Sequence, residues 1–224
     1  MSAGNLGGRI GWASASDFLG RRETFYIFTF GSVPLYFALP YIIRDVIATQ
    51  SYTSLLGFMG STVLALSMMG GTYALLPAYE SELFGQKYVG ANHGRMLLFS
   101  SAAALTGPVL LLKLKGLAET SAIQRMLSEV DPTAFLGTFG VGVEQAQSLI
   151  ETKVLTIPKL LAIMPDGYVD PTPFLYDTTM QTMAGLMLVA GVSNVLITPV
   201  DPKHYEVVDA LPDEPAAGGE DAKK

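Results

Sequence analysis

Long stretches without a charged residue are the dominant pattern of the chain. Four such stretches cover residues 24–43, 46–79, 96–112 and 178–200. A bilayer core is about 30 Å thick and requires roughly 20 residues of α-helix to cross it. Each stretch is near or above that length. The pattern therefore predicts four transmembrane helices.

The composition of the whole chain favours lipid over water as the surroundings of these helices. The chain is 50% hydrophobic and only 15% charged, and its mean hydropathy is +0.37. Soluble domains usually carry about 25% charged residues. The alternative, buried helices of a large soluble protein, would leave too little polar surface to cover four such helices. Pro34, Pro40 and Pro108 lie inside the stretches, as membrane bundles tolerate.

Charge and residue usage exclude several classes of function. The net charge of −6 argues against nucleic acid as a partner, because phosphates require clustered lysine and arginine. The chain has no cysteine and only two histidines, His93 and His204, so neither a metal site nor a cofactor is expected. No nucleophile, paired-carboxylate or phosphate-loop motif is present. We therefore do not expect an enzyme.

The chain divides into five segments by composition. We predict a loop that follows the remnant of a helix, three transmembrane helices, a polar insertion of short amphipathic helices, a fourth transmembrane helix, and an acidic tail. These segments are 1–22, 23–115, 116–176, 177–200 and 201–224. The predicted fold class is thus an all-α membrane protein with a short-helix polar insertion before its last span.

Turn and capping signals lie within the insertion. Asp131 followed by Pro132 is typical of a helix N-cap with proline at the first helical position. Residues 143–153 and 159–164 carry apolar side chains at helical spacing. The insertion is either a lid or docking surface on one membrane face, or a solvated connector that caps the bundle. The tail 201–224 is too acidic to bury an apolar core by itself, so an ordered tail would indicate a partner.

The basic residues divide evenly between the two predicted membrane faces, so their count does not set the orientation. In this count Arg9 is assigned to the same face as Arg21 and Arg22, because all three precede the first span.

Two motifs go beyond hydropathy. The first, in residues 8–22, contains Asp17, Gly20, Arg21 and Arg22 in a predicted bend, where glycine supplies the turn. The second, in residues 70–110, joins two predicted helices through a short polar loop. Its characteristic residues are Pro77, Tyr79, Gly85, Gly90, His93, Gly94, Arg95, Gly107 and Pro108.

Together these motifs resemble the C-terminal half of a major facilitator superfamily transporter, of the oxalate/formate antiporter-like branch. The resemblance covers roughly residues 5 to 200, and it makes the four spans helices nine to twelve. It implies a coupled carrier of small carboxylates, in which two six-helix halves rock about a midplane site and both termini are cytosolic. It also implies that Asp17 and Arg22 latch one conformation, and that His93 and Arg95 lie at a membrane boundary.

The chain departs from that family in ways that bear on transport. The N-terminal half, the seventh helix and most of the eighth have no counterpart, so we expect less than one of the two halves that hold a substrate. Dicarboxylate carriers of the family use basic residues in helices eight and eleven, whereas residues 96–112 carry no charge. A carboxylate in the bilayer without a cation would cost several kcal/mol. We expect no oxalate transport by this chain alone.

Two functions remain open. In the first, a transporter-derived protein serves as a structural or accessory subunit of a larger membrane complex, such as an organellar respiratory or photosynthetic complex. In the second, a carrier of small carboxylates is completed by a separate partner half. The expected partners are the lipid bilayer and other membrane subunits, and a small-molecule substrate is not favoured. The expected location is an organellar inner membrane, with the plasma membrane as the alternative. Nothing in the sequence supports a membrane-bound enzyme.

Overall fold

The computed structural model describes residues 2–198 and 200–201, and within them it contains helices and no strand. We label the α-helices in chain order. They are α1 (Ser2–Leu19), α2 (Arg21–Thr49), α3 (Tyr52–Phe84), α4 (Val89–Glu129), α5 (Pro132–Phe139), α6 (Ala146–Glu151), α7 (Ile157–Leu161) and α8 (Asp177–Leu196). Three 3-10 helices lie between them, at Gln86–Tyr88, Val143–Gln145 and Thr172–Phe174.

The four predicted membrane helices are confirmed. In the described part of the chain, four helical segments are long and apolar enough to cross a membrane. They are Arg21–Thr49, Tyr52–Phe84, Gln86–Glu129 and Thr172–Leu196. By length and composition the chain is therefore a multi-pass integral membrane protein, as predicted.

The ends of these helices define two faces of the bundle. We call the "polar end" the face where α2 begins and α3 and α8 end, and the "insertion end" the opposite face. Helices α2 and α3 are antiparallel, since Phe25 stacks on Tyr79 and Ser32 contacts Met68. Helices α2 and α8 are also antiparallel, because Arg22 reaches Val195 at the polar end and Arg44 pairs with Asp177 at the insertion end.

The segment predicted as a loop after the remnant of a helix is helical over most of its described length. The described residues from Ser2 to Leu19 form one helix, α1, which packs along α3 and runs parallel to it. A Cβ atom at Gly8 would lie 2.1 Å from the Ser67 carbonyl oxygen, and one at Gly4 would lie 3.2 Å from Val63. Glycine removes the side chain that would keep the two backbones apart, so the helix is stabilised by close packing rather than by an apolar stripe.

The helix that crosses the predicted segment boundary at residue 115 does not end there. Helix α4 continues without a break from the membrane through Lys115 to Glu129. Its 41 residues extend about 60 Å, roughly twice the thickness of a bilayer core. The extension is stabilised because Ile123 and Met126 are buried in a hydrophobic core with the short helices that follow.

That core gives the insertion a packed interior of its own. It joins the end of α4 to α5 and α7 through fully buried side chains, among them Phe135 and Leu160. The predicted N-cap is confirmed: the Asp131 carboxylate accepts a hydrogen bond of 3.0 Å from the Thr133 backbone N–H, and Pro132 occupies the first turn of α5. The insertion is therefore a small folded unit.

The insertion lies against the end of the bundle where α2 stops. The Arg44 guanidinium pairs with Asp177 and lies 5.4 Å from the centre of the Phe174 ring. The Lys115 ammonium lies 5.7 Å from the Tyr176 ring. The predicted acidic tail 201–224 lies outside the described residues except for Asp201.

Candidate functional site

The loop signature lies at the polar end, where Arg21 is the central group. Its guanidinium donates hydrogen bonds to Asp17 Oδ1 at 2.7 Å, to Ser16 Oγ at 2.5 Å and to Glu82 Oε1 at 3.3 Å. These contacts join the end of α1 to the start of α2 and the end of α3. The predicted bend is confined to Gly20, whose φ of 94° is unfavourable for residues with a Cβ atom.

The latch implied by the family resemblance has a different partner in the structure. Asp17 forms an ion pair with Arg21, four residues later on the other side of the bend at Gly20, and not with Arg22. The Arg22 guanidinium instead donates to the Val195 carbonyl oxygen at 3.1 Å and lies 5.5 Å from the Tyr26 ring. Arg21 and Arg22 are successive residues of α2 and project about 100° apart around its axis, so the two guanidiniums reach different neighbours.

A second polar group ties α3 and α8 to the start of α2. The Tyr79 hydroxyl donates to Asn194 Oδ1 at 3.0 Å, and the Asn194 amide donates to the Arg22 carbonyl oxygen at 3.3 Å. Tyr79 and Asn194 are both buried. Tyr79 is a residue of the second motif, so the structure brings part of that motif together with the first.

The most buried acidic side chain of the described chain is Glu80, which is only 2% exposed. Its Oε2 lies 3.0 Å from His93 Nδ1, and this contact joins the end of α3 to the start of α4. Its Oε1 is buried and has no hydrogen-bond partner among the described residues. A buried carboxylate oxygen without a donor is costly and rare in proteins.

This carboxylate lies on the wall of a cavity of about 710 Å³ between α2, α3 and α8, with Met96 of α4 at one side. Along α3 the lining extends from Phe84 at the polar end to Ala65. Fifteen residues separate Glu80 from Ala65, which corresponds to about 22 Å of helix. The cavity is therefore elongated and reaches from the polar end towards the middle of the membrane.

The chemistry of the lining is almost entirely apolar. The hydroxyls of Thr29, Ser32 and Thr72 donate to backbone carbonyls of their own helices, at 2.8 Å, 2.5 Å and 2.9 Å, so their donors are satisfied. The lining includes one carboxylate, Glu80, and no lysine or arginine. Such a surface suits a hydrophobic molecule with a single polar group, and it does not suit an anion.

The other residues of the second motif lie apart from this cluster. Pro77 is on the exposed side of α3, and Gly85 ends that helix with a φ of 76°. Arg95 donates to Asn92 at 3.2 Å on the exposed start of α4. The remaining residues lie on α4. Added Cβ atoms would meet nothing within 4 Å at Gly90, Gly94 and Gly107. Pro108 lies inside the same helix and does not interrupt it.

Sequence reasoning missed Glu80, Glu82 and Asn194. Glu80 served only as the end of an apolar stretch, although it lies one turn inside the end of α3. The pair with His93 could have been found from the sequence, because Glu80 lies just before the end of one helix and His93 follows across a short loop. Asn194 gave no such signal, because its partner Tyr79 is 115 residues away.

Arg9 is a second charged group at an unexpected depth. Gly8 packs on Ser67, which is close to the middle of α3, so Arg9 does not lie on the polar face to which the charge count assigned it. Its guanidinium donates to Asn5 Oδ1 at 3.2 Å, and the side chain is exposed. Among the described residues it forms no salt bridge.

Metal ligation finds no support in the described ranges, which contain no group of three histidine or acidic side chains that could hold an ion. No protein-family model, curated protein or solved structure matches the chain.

Proposed function

We propose that this protein is a structural or accessory subunit of a larger membrane complex, in which another subunit covers the open face of α1. The observation that carries the proposal is the position of Arg9. A charged side chain on the lipid-facing surface near the middle of a bilayer costs about 2.5–3.5 kcal/mol or more. An exposed arginine at that depth therefore needs a partner that the described residues do not supply.

The depth of Arg9 follows from its neighbours. Ser67, which packs on Gly8, is 13 residues before Glu80, so the polar end is about 20 Å away. Side chains on a helix lean towards its N-terminus, and Arg9 does so in contacting Asn5. Because α1 runs towards the polar end, this direction leads Arg9 away from the polar end rather than towards it.

The surface around Arg9 suits a closely packed helix. Leu6 is 62% exposed and Ile10 is 66% exposed. Added Cβ atoms at Gly7 and Gly11 would meet nothing within 4 Å, so a neighbouring backbone has room to approach. Small residues at a spacing of four favour helix association in lipid. A partner helix with an aspartate or glutamate opposite Arg9 would supply both packing and charge.

The test is the size of the native assembly after gentle detergent extraction. We expect the chain to migrate in a complex far larger than its own 23.9 kDa. Arg9→Glu should dissociate it, because like charges would then face each other in a region of low dielectric constant. Arg95→Glu is the matched control, since Arg95 is exposed at the end of the bundle. A native chain that migrates alone, or a complex that Arg9→Glu leaves intact, would contradict the proposal.

The second candidate is a carrier of small carboxylates completed by a partner half. One feature supports it: Arg9 is a basic residue on α1, in the segment that the family resemblance assigns to the remnant of the eighth helix. The cavity between α2, α3 and α8 speaks against it, because its only charged lining residue is an acid. Uptake of labelled oxalate or formate into liposomes with the co-purifying subunits decides between the candidates. Uptake that Arg9→Gln abolishes would favour the carrier.

The transporter ancestry and an organellar inner membrane belong to the same proposal. The two sequence motifs support the transporter ancestry. The organellar inner membrane is the location expected of a subunit of a respiratory or photosynthetic complex. Fractionation of cell membranes, followed by detection of the chain beside markers of organellar inner membranes and of the plasma membrane, tests the location.

A further inference from the structure

We infer that the cavity between α2, α3 and α8 binds a neutral lipid, and that a rotation of the Glu80 side chain towards the cavity lets its buried Oε1 accept a hydrogen bond from the hydroxyl group of that lipid. The inference rests on the cavity and is independent of the assembly around α1. Three observations support the inference: the shape of the cavity, the unsatisfied carboxylate oxygen of Glu80, and the absence of basic side chains from the described lining.

The volume and shape fit a single hydrophobic chain. A volume of about 710 Å³ is within the roughly 300–1,000 Å³ that is usual for small-molecule sites. The lining follows α3 from the polar end to Ala65 and α2 from Phe25 to Tyr36. An apolar chain that enters between the helices would thus lie along the membrane normal, as lipid chains do.

The polar group of the ligand is specified by Glu80. Its Oε2 is engaged by His93, whereas Oε1 is buried and lacks a donor. The protein hydroxyls nearby donate to their own helices, and the Tyr79 hydroxyl donates to Asn194. The hydroxyls of Tyr36 and Tyr73 also line the cavity, but on turns further from the polar end than Glu80, so we assign the missing donor to the ligand.

The charge of the lining selects a neutral group. A fatty acid or a phosphate would bring a second negative charge next to Glu80. Arg22, at the same end of the bundle, donates to the Val195 carbonyl oxygen and lies over the Tyr26 ring. His93 Nδ1 already contacts Glu80 Oε2, so only Oε1 remains for a ligand. A hydroxyl group meets the remaining need.

The experiment uses the full chain in phosphatidylcholine nanodiscs with three probes of equal length. They are a long-chain alcohol that carries a diazirine, the methyl ether of that alcohol, and the corresponding fatty acid. We expect the alcohol to label peptides of α2, α3 and α8 and to bind roughly tenfold more tightly than the ether, which cannot donate. Equal binding of alcohol and ether, tighter binding of the fatty acid, or labelling confined to outward-facing peptides would overturn the inference.

Variants separate the head and tail parts of the site. Glu80→Leu should lower the affinity for the alcohol to that for the ether. Glu82→Leu, two residues along the same helix but outside the lining, should leave both affinities unchanged. Ala190→Trp should block all three probes, because Ala190 lines the cavity on α8. Undiminished labelling in Ala190→Trp would overturn the inference. If Glu80→Leu does not fold, the alcohol and ether comparison on the unaltered chain still decides.

Discussion

Glycines decide how closely α1 approaches α3. An added Cβ atom would lie 2.1 Å from Ser67 at Gly8 and 2.2 Å from Asn5 at Gly70, each time from a carbonyl oxygen of the backbone. Backbone atoms cannot move aside as a flexible side chain can. The interface therefore tolerates no side chain at either position. On the opposite side of α1, in contrast, Gly7 and Gly11 have open space around them.

Substituting Gly8 by alanine should separate α1 from α3. We expect Gly8→Ala to lower the free energy of unfolding by about 1–3 kcal/mol, the usual cost of overpacking. Gly7→Ala, with open space around the added methyl group, should be neutral or slightly stabilising because alanine favours helix. Thermal melting of both variants in the same detergent gives the comparison. Equal melting temperatures would show that the α1–α3 contact does not form.

A pH effect belongs to the cap of α5. Hydrogen bonds from the Thr133 side chain and backbone hold the pKa of the Asp131 carboxyl below its ordinary value of 3.8. A lowered pKa in the folded state means that the stabilisation is complete above the ordinary value and is lost as the pH falls through the folded-state pKa. We expect amide exchange in α5, corrected for intrinsic rates, to accelerate only below that ordinary value.

Asp131→Asn is the control for this effect. Asparagine caps helices as well as aspartate does but has no carboxyl group to titrate. The amide exchange of α5 in this variant should lose the acid-induced acceleration. Acceleration of the same size in both proteins would assign the pH dependence to another group.

At the scale of elements, α4 links the membrane bundle to the insertion. Its membrane part is open on nearly all sides, with Phe99 and Leu105 among its most exposed residues. Its last turns are buried in the core of the insertion through Ile123 and Met126. The same helix is thus stabilised by lipid in one part and by protein packing in the other.

The insertion should unfold without the bundle when its core is emptied. Phe135 is 0% exposed, and Phe135→Ala should cost about 3–5 kcal/mol. Leu136→Ala is the matched control, because Leu136 is 53% exposed. Limited proteolysis should cleave the Phe135→Ala variant within residues 130–170 while α2 and α3 stay protected. Resistance to cleavage would mean that the insertion is held by contacts outside its own core.

At the scale of the whole molecule, the four spans place the insertion and the polar end on opposite sides of the membrane. The chain has no cysteine, so single introduced thiols report their side without interference. Thr138→Cys in the insertion and Lys87→Cys at the polar end are both exposed positions. An impermeant maleimide added to sealed vesicles should label only one of them, and a permeant maleimide both. Labelling of both by the impermeant reagent would contradict the four-span topology.

The sequence predicted the spans because the thickness of a bilayer sets a minimum length of apolar helix that can be read from one stretch at a time. The cap at Asp131 was equally local, since its hydrogen bonds reach only two residues along the chain. The amphipathic segments of the insertion were found for the same reason, and α6 and α7 lie within or next to them.

The helix at 2–19 and the continuation of α4 were not predicted. Helix α1 contains glycines and polar residues that disfavour an isolated helix, and it is held by its contact with α3. The end of α4 depends on a core built from α5 and α7. In both places the free energy comes from packing between segments that are distant in the sequence.

The sequence by itself determined that the chain is helical, that four helices can cross a membrane, and that a polar unit precedes the last of them. Only the tertiary structure decided that Glu80 meets His93, that Tyr79 meets Asn194, and that a cavity lies between α2, α3 and α8. The physical reason is that hydrophobicity acts on each segment separately, whereas pairing and cavities depend on which faces of the helices meet.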